Sequence, residues 1–242
     1  MAQLQIRGLT KIYNKVKVVD GVDLVFETGR ITALLGRNGA GKTTTFLMIA
    51  GIVRPDAGDV FLVGESVSGI PSYERSRRGL IYLPQQHSVF LKATGFQNLF
   101  MMLEQRHARE IAREKAEALL GEFGLAGVRD SRGYELSGGE KRRLEIARSM
   151  IMAPRFLLLD EPFTGIDPIT IREIQKIILL LKAKGISIIV TDHNVKDTFS
   201  ITDTAYIIHK GRILSSGLPA DIVREEQTRK LFLGKDFEWG NG

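Results

Sequence analysis

The residues that most constrain this chain are Gly36-Arg37-Asn38-Gly39-Ala40-Gly41-Lys42-Thr43, which fill every position of the pattern G-x-x-x-x-G-K-[ST]. The apolar run Ile31 to Leu35 precedes them and the helix-like stretch Phe46 to Ala50 follows. Strand, glycine loop and helix in that order make a phosphate loop, and they predict an α/β fold around a parallel sheet. Gly36, Gly39 and Gly41 can take backbone angles closed to other residues, so N–H groups from Gly36 to Thr44 can turn inward around an anion at a helix start. Lys42, its head expected in solvent, would then reach two phosphates, and the Thr43 hydroxyl would ligand Mg²⁺.

A second glycine-rich helix start, Leu136-Ser137-Gly138-Gly139-Glu140, stands about a hundred residues downstream. Ser137 is a good N-cap and Glu140, three residues on, completes a capping box. Glycine in a helix costs about 1 kcal/mol relative to alanine. Gly138 and Gly139 therefore point to something negative approaching the backbone closely. The run Phe156-Leu157-Leu158-Leu159 reads as a buried parallel strand and ends in Asp160-Glu161. Asp160 is placed to hold the Mg²⁺ shell, and Glu161, across the pleat, to act as general base on a water. His193 follows Ile188-Ile189-Val190-Thr191, and Gln85 follows Leu80 to Pro84, so both stand at further strand ends. His193 there is either a γ-phosphate contact or a structural histidine. Gln85 either bonds metal water and nucleophile or is a solvated loop residue.

In this order the motifs resemble those of ABC transporter ATP-binding subunits, and the resemblance covers nearly the whole chain. It implies a phosphate-loop NTPase (ABC ATPase) core with an antiparallel β subdomain and an inserted α-helical subdomain. It also implies ATP and Mg²⁺ as ligands, with Arg37, Asn38, Ala40 and Thr44 in the ATP-binding loop. Two copies would pack head to tail, so that Leu136 to Glu140 of one act in trans on the ATP held by the other. Asp167 would lie in the dimer-interface loop. Tyr13 would stack on adenine, or else pack at a strand edge. Phe90 and Leu91, with Phe96, Leu99 and Met102 behind them, would line a groove for a coupling helix from one of two transmembrane permease subunits, or else pack the core. YLPQ at Tyr82, YELSGGEKRRLEIARS at Tyr134, LLDEPFTGIDPI at Leu158, TDHNV at Thr191 and LGKDF at Leu233 look like the lipopolysaccharide-exporting branch of the family. Arg37, where proline is common, and Thr164, where alanine is common, depart from the pattern without touching a phosphate-contacting role.

The chain reads as a single unit over 1–242, with the helical subdomain at about 94–152. Phe96, Leu99, Phe100 and Leu103 form one stripe there, and Ile111, Ala112, Ala116, Leu119, Leu120 and Phe123 another. The tail from Pro219 reads as two short helices. There is no cysteine, hence no disulfide framework. No run approaches the roughly 20 apolar residues of a membrane span. A charge of +6, from 34 basic and 28 acidic residues, is small and spread out, so no nucleic-acid partner is expected. Membrane contact would be indirect, placing the chain on the cytoplasmic face of an inner membrane. Rival readings are an importer ATPase of the branched-chain amino-acid type and a soluble ABC ATPase of DNA repair or translation. The absence of long heptad repeats speaks against repair, and a single cassette against translation.

Overall fold

Unbroken apolar runs and alternating runs sort into two different sheets. A computed structural model describes residues 3–234, Phe237 and Trp239. Its strands are β1 (Gln3–Tyr13), β2 (Val16–Glu27), β3 (Ile31–Leu35), β4 (Ala57–Leu62), β5 (Glu65–Ser66), β6 (Leu80–Leu83), β7 (Phe156–Asp160), β8 (Ser187–Asp192), β9 (Thr204–His209) and β10 (Arg212–Gly217). Its helices are α1 (Lys42–Ile49), α2 (Ser72–Arg77), α3 (Gly95–Leu103), α4 (Arg109–Glu122), α5 (Gly138–Met150), α6 (Pro168–Ala183), α7 (Val195–Phe199), α8 (Pro219–Arg224) and α9 (Glu226–Thr228).

The alternating strands form an antiparallel sheet in the order β2-β1-β4-β5. The apolar runs form a sheet in the order β10-β9-β3-β8-β7-β6, in which β9, β3, β8, β7 and β6 run parallel. Every residue of β3, β7 and β8 is buried, which is why those runs show no alternation. On one face, Leu34, Leu158 and Ile189 pack with Phe46 of α1 and with Leu4, Ile6 and Phe26 of the antiparallel sheet. On the other, Leu157, Leu159, Ile188 and Val190 pack with Ile174 and Ile178 of α6 and with Leu99, Leu120 and Leu144 of the helical region. The strand order has a direct consequence: β3, β8, β7 and β6 are neighbours, so their carboxyl ends stand in a row.

Several boundaries differ from the sequence reading. Helix α1 starts at Lys42, four residues before the apolar stretch, because the phosphate loop itself turns into the helix. In α4, Ala112, Ala116 and Leu120 are buried but Ile111 is 46% exposed, so the second stripe is narrower than its apolar composition suggested. The tail forms α8 and α9 and then a π-helical turn over Arg229–Leu233. Phe232, Leu233, Phe237 and Trp239 pack on the cluster of Ala33, Phe199 and Ile222. Lys235 and Asp236 of the LGKDF stretch lie outside the described residues. Among the described residues no helix is long and apolar enough to cross a membrane.

Candidate active site

At the end of β3 the phosphate loop folds as its glycines predict, and each glycine answers a separate demand. A Cβ on Gly36 would stand 2.4 Å from the Ile208 carbonyl oxygen, so close packing excludes a side chain there. Gly39 has open space around it but a φ of 76°, so its reason is backbone conformation. Lys42 is only 5% exposed, which corrects the expectation of a solvated head. Its Nζ donates to the carbonyls of Gly36 (2.8 Å) and Arg37 (3.3 Å) and lies 3.8 Å from Glu161 Oε1. Burial pushes the ammonium below the usual lysine range, while Glu161, Asp160 and Asp192 oppose that shift.

Asp160 closes β7 and is gripped from both sides. Thr191 Oγ1 donates to Oδ1 at 2.6 Å and the Tyr82 hydroxyl to Oδ2 at 3.0 Å, while Thr43 Oγ1 reaches Oδ1 at 3.4 Å. Burial, and then the Asp160 charge, push the Tyr82 hydroxyl well above the usual tyrosine range, so it stays a donor. Glu161 is not across a pleat from Asp160, because the strand has ended. Its φ of 44° is left-handed, and its N–H donates to the Thr191 carbonyl at 2.9 Å. The turn aims its carboxylate at Gln85 Nε2 (3.0 Å to Oε2), Thr164 Oγ1 (3.1 Å to Oε2) and His193 Nδ1 (3.5 Å to Oε2).

The loop carrying His193 is anchored by Asp192, which the sequence reading passed over. Its buried carboxylate accepts from the N–H groups of His193 (2.7 Å), Asn194 (2.9 Å) and Phe163 (3.1 Å). Burial raises its pKa and those hydrogen bonds lower it, with burial the larger effect. Val18, Asn38, Gly39, Gly41, Lys42, Thr43, Thr44, Gln85 and Glu161 line one cavity of about 360 Å³. Tyr13 and Leu136 to Glu140 do not line it. Tyr13 is 45% exposed, with the Lys11 ammonium 5.3 Å from its ring centre, so it is not packed against a core.

Helix α5 starts with the expected capping box: Ser137 Oγ accepts from the Glu140 N–H (3.3 Å) and the Ser137 N–H donates to Glu140 Oε2 (2.8 Å). The glycine pair divides in a way the sequence did not show. A Cβ on Gly139 would stand 2.1 Å from Thr170 Cγ2, so Gly139 is required by packing against α6. Gly138 is exposed, with nothing nearer than His87 Nε2 at 4.0 Å. Asp167 caps α6, accepting from the N–H groups of Ile169 (3.0 Å) and Thr170 (3.1 Å).

One turn further along α5, Arg142 and Glu145 are almost fully buried, 2% and 2% exposed. Arg142 donates to the carbonyls of Pro84 (2.8 Å) and Asp160 (2.9 Å) and pairs with Glu145 at 3.3 Å. Glu145 accepts from the Ser88 N–H and contacts His87 Nδ1 at 3.2 Å. Their i, i+3 spacing was visible, but only the fold reveals that both face inward.

Phe90 and Leu91 are 45% and 52% exposed, so they are not core residues. Buried Asn98 holds their loop, accepting from the Phe90 N–H (2.8 Å) and donating to the Phe90 carbonyl (3.1 Å). The Arg148 guanidinium lies 4.4 Å over the Phe90 ring. Beside it a groove of about 420 Å³ is lined by Ile81, Leu83, Met102, Arg106, Arg148 and Met152, among others. Of the residues expected behind Phe90, only Met102 lines this groove; Leu99 is fully buried and Phe96 packs on the core, because the α3 stripe turns inward.

Residues 19–164 match the family model described as ABC transporter. The chain is 48% identical over 236 residues to the lipopolysaccharide export system ATP-binding protein LptB of Acidithiobacillus ferridurans, covering 97% of this chain and 98% of that one. It is 44% identical to the LptB protein of Haemophilus influenzae, over 98% of this chain and 100% of that one. To the Escherichia coli K12 LptB protein it is 43% identical, over 98% and 99%. Among solved structures, a nucleotide-free ATP-binding cassette from an ABC transporter superposes with a TM-score of 0.87 at 24% identity, over 97% of this chain and 100% of that one. The structure of cbiO1 from Clostridium perfringens, part of the ABC transporter complex cbiONQ, gives 0.83 at 25%, over 94% and 92%.

Proposed function

This chain belongs to the ABC transporter family, and from that premise we propose that it is the ATP-hydrolysing subunit that powers lipopolysaccharide extraction from an inner membrane. Membership makes it an ATP-binding hydrolase, and full-length identity to the LptB proteins carries the substrate. The observation that carries the site is the row of neighbouring strand ends, which brings Lys42, Glu161 and Gln85 around one cavity, with His193 just outside it at 3.5 Å from Glu161.

Each residue takes a role from its position. Loop N–H groups and Lys42 hold the β- and γ-phosphates. Two of its three donors are on the Gly36 and Arg37 carbonyls, and it is already desolvated, which strengthens its attraction for phosphate. Asp160, Thr43 and Gln85 would hold Mg²⁺; one carboxylate, one hydroxyl and phosphate oxygens suit an ion that keeps few protein ligands. When bound, the ion neutralises charge on the transferred phosphoryl group. Glu161 takes the proton of the attacking water, with Gln85 orienting both and His193 facing the γ-phosphate.

A head-to-tail homodimer supplies the rest. Ser137, Gly138 and Glu140 lie away from the chain's own cavity, at an exposed helix start with the open approach an anion needs. Asp167 would lie at the same interface, and Tyr13 would stack on adenine. The groove beside Phe90 and Leu91 would receive the transmembrane partners, with the helices at about 94–152 moving as a subdomain.

Glu161→Gln tests the reading, because an amide still bonds water but cannot accept its proton. Turnover should vanish and the variant should accumulate as an ATP-bound dimer on size exclusion. Wild-type turnover would remove Glu161 as the base.

A further inference from the structure

Glu161, Pro162, Phe163 and Thr164 form a tight turn in which the Thr164 N–H donates to the Glu161 carbonyl at 3.3 Å. The turn is held to β8 by the Phe163 N–H on Asp192 (3.1 Å) and begins at the left-handed φ of Glu161. Its fourth residue therefore returns over its first. The Thr164 hydroxyl donates to Glu161 Oε2 at 3.1 Å and lies 3.5 Å from His193 Nδ1.

We propose that Thr164 is a positioning residue for hydrolysis, its hydroxyl fixing the Glu161 carboxylate and bridging it to His193. The inference rests on Glu161 being the base. A threonine hydroxyl has one proton and two lone pairs. Given to Oε2, that proton leaves the oxygen free to accept from a His193 Nδ1–H, which fixes one imidazole tautomer. Gln85 shares the same Oε2 at 3.0 Å, so two donors pin one carboxylate oxygen. The other, Oε1, stays on the Lys42 side at 3.8 Å. Without the hydroxyl, Gln85 is the one hydrogen-bond donor left within 3.1 Å of that oxygen, with His193 Nδ1 at 3.5 Å and Lys42 at 3.8 Å from the other, and Gln85 is itself exposed. Geometry at a general base sets the rate of the chemical step rather than ATP affinity.

The test compares Thr164→Val and Thr164→Ala, which lack the hydroxyl, with Thr164→Ser, which keeps it, in ATPase assays of the full chain. Thr164 is exposed, so all three should melt like the wild type. The hydroxyl-free variants should lose about 10-fold or more in kcat, the low end for the loss of a hydrogen bond to a charged group, with KM for ATP within about twofold. T164S should return to within about twofold of wild type. Wild-type or faster turnover in T164V and T164A overturns the proposal, as does an equal loss in T164S or a loss carried by KM alone. E161Q, assayed alongside, separates the failures: if it is inactive while T164V is unimpaired, the base stands and the positioning role falls; if it turns over normally, the base itself falls.

Discussion

Arg142→Met removes the guanidinium that joins α5 to the ends of β6 and β7, and the structure fixes how much that should cost. Holding the arginine has a desolvation penalty, visible as a pKa lowered chiefly by burial and raised in part by Glu145. Opposing it are hydrogen bonds to the carbonyls of Pro84 and Asp160 and the pair with Glu145. Methionine fills much of the volume but leaves Glu145 buried with the Ser88 N–H and His87 on its oxygens and the charge of Arg148 nearby, without its direct arginine partner. Breaking a buried pair from one side costs about 3–5 kcal/mol, whereas replacing both partners is often near neutral. In a chain of this size each kcal/mol moves Tm by about 2–4 °C, so Arg142→Met should melt roughly 6–20 °C lower.

The assay is a double-mutant cycle with Glu145→Leu, read by thermal or chemical denaturation. The double variant should be less destabilised than the sum of the singles, by about 1–3 kcal/mol. ATPase activity should fall in Arg142→Met even at temperatures where it stays folded, because the Asp160 carbonyl has lost its anchor. Strict additivity, together with less than about 1 kcal/mol for Arg142→Met, would refute the view of a buried charge clamp.

Arg75→Met should be costly for a related reason: Arg75 donates to the carbonyls of Ile49 (2.6 Å), Ile70 (2.9 Å) and Ser68 (3.2 Å) and makes no ion pair among the described residues, so about 3 kcal/mol should be lost in denaturation. Lys42→Ala should weaken ATP binding or stop hydrolysis; because the ammonium is buried against loop carbonyls, its melting point without nucleotide should also move, and an unchanged ATP affinity and turnover would remove the loop from the active site. Mixing Ser137→Arg with Lys42→Ala protein should restore ATPase activity above the sum of the two parents, since one composite site regains both residues; a fully active single variant would end the in-trans role. Phe90→Ala should leave melting point and basal ATPase nearly unchanged while co-purification with the membrane subunits falls, whereas a loss of about 3–5 kcal/mol in stability would return Phe90 to packing.

Motifs were legible where chemistry demands a fixed spacing, and contacts that cross the chain were not. The phosphate loop, the strand ends carrying Asp160, Gln85 and His193, and the capping box at Ser137 stand where local pattern puts them, because each is set by a few consecutive residues. The antiparallel sheet and the helical region follow from periodicities of two and 3.6. By contrast, Tyr82 and Thr191 meet Asp160 from residues 78 and 31 positions away, and no local pattern marks a polar group inside an apolar strand as a partner. Gly139, read as an anion site, also makes a close packing contact with Thr170, a second reason for glycine that requires knowing where α6 lies. Lys42 seemed solvated because lysines mostly are; only the folded loop shows its head beneath its own carbonyls.

Helix α5 ties these parts together at short range. Its first residues present Ser137 and Gly138 to the outside, its second turn holds the Asp160 and Pro84 carbonyls through Arg142, Glu145 holds the backbone of Ser88, and Arg148 covers the Phe90 ring. Arg142, Glu145 and Arg148 are spaced by three, so they fall on one side of the helix and face the chain from Pro84 to Phe90. From Ser137 to Arg148 an α-helix spans only about 16 Å at 1.5 Å per residue. On the proposed reading, a push on the Phe90 loop would meet a helix already bonded to the end of β7, and a ligand drawn onto Ser137 would pull the opposite end of the same helix. The proposed groove, the chain's own site and the site of a second copy would then be coupled through the displacement of one helix. The buried Arg142–Glu145 pair, bonded to the Pro84 and Asp160 carbonyls, would make that helix move with the strand ends instead of slipping past them.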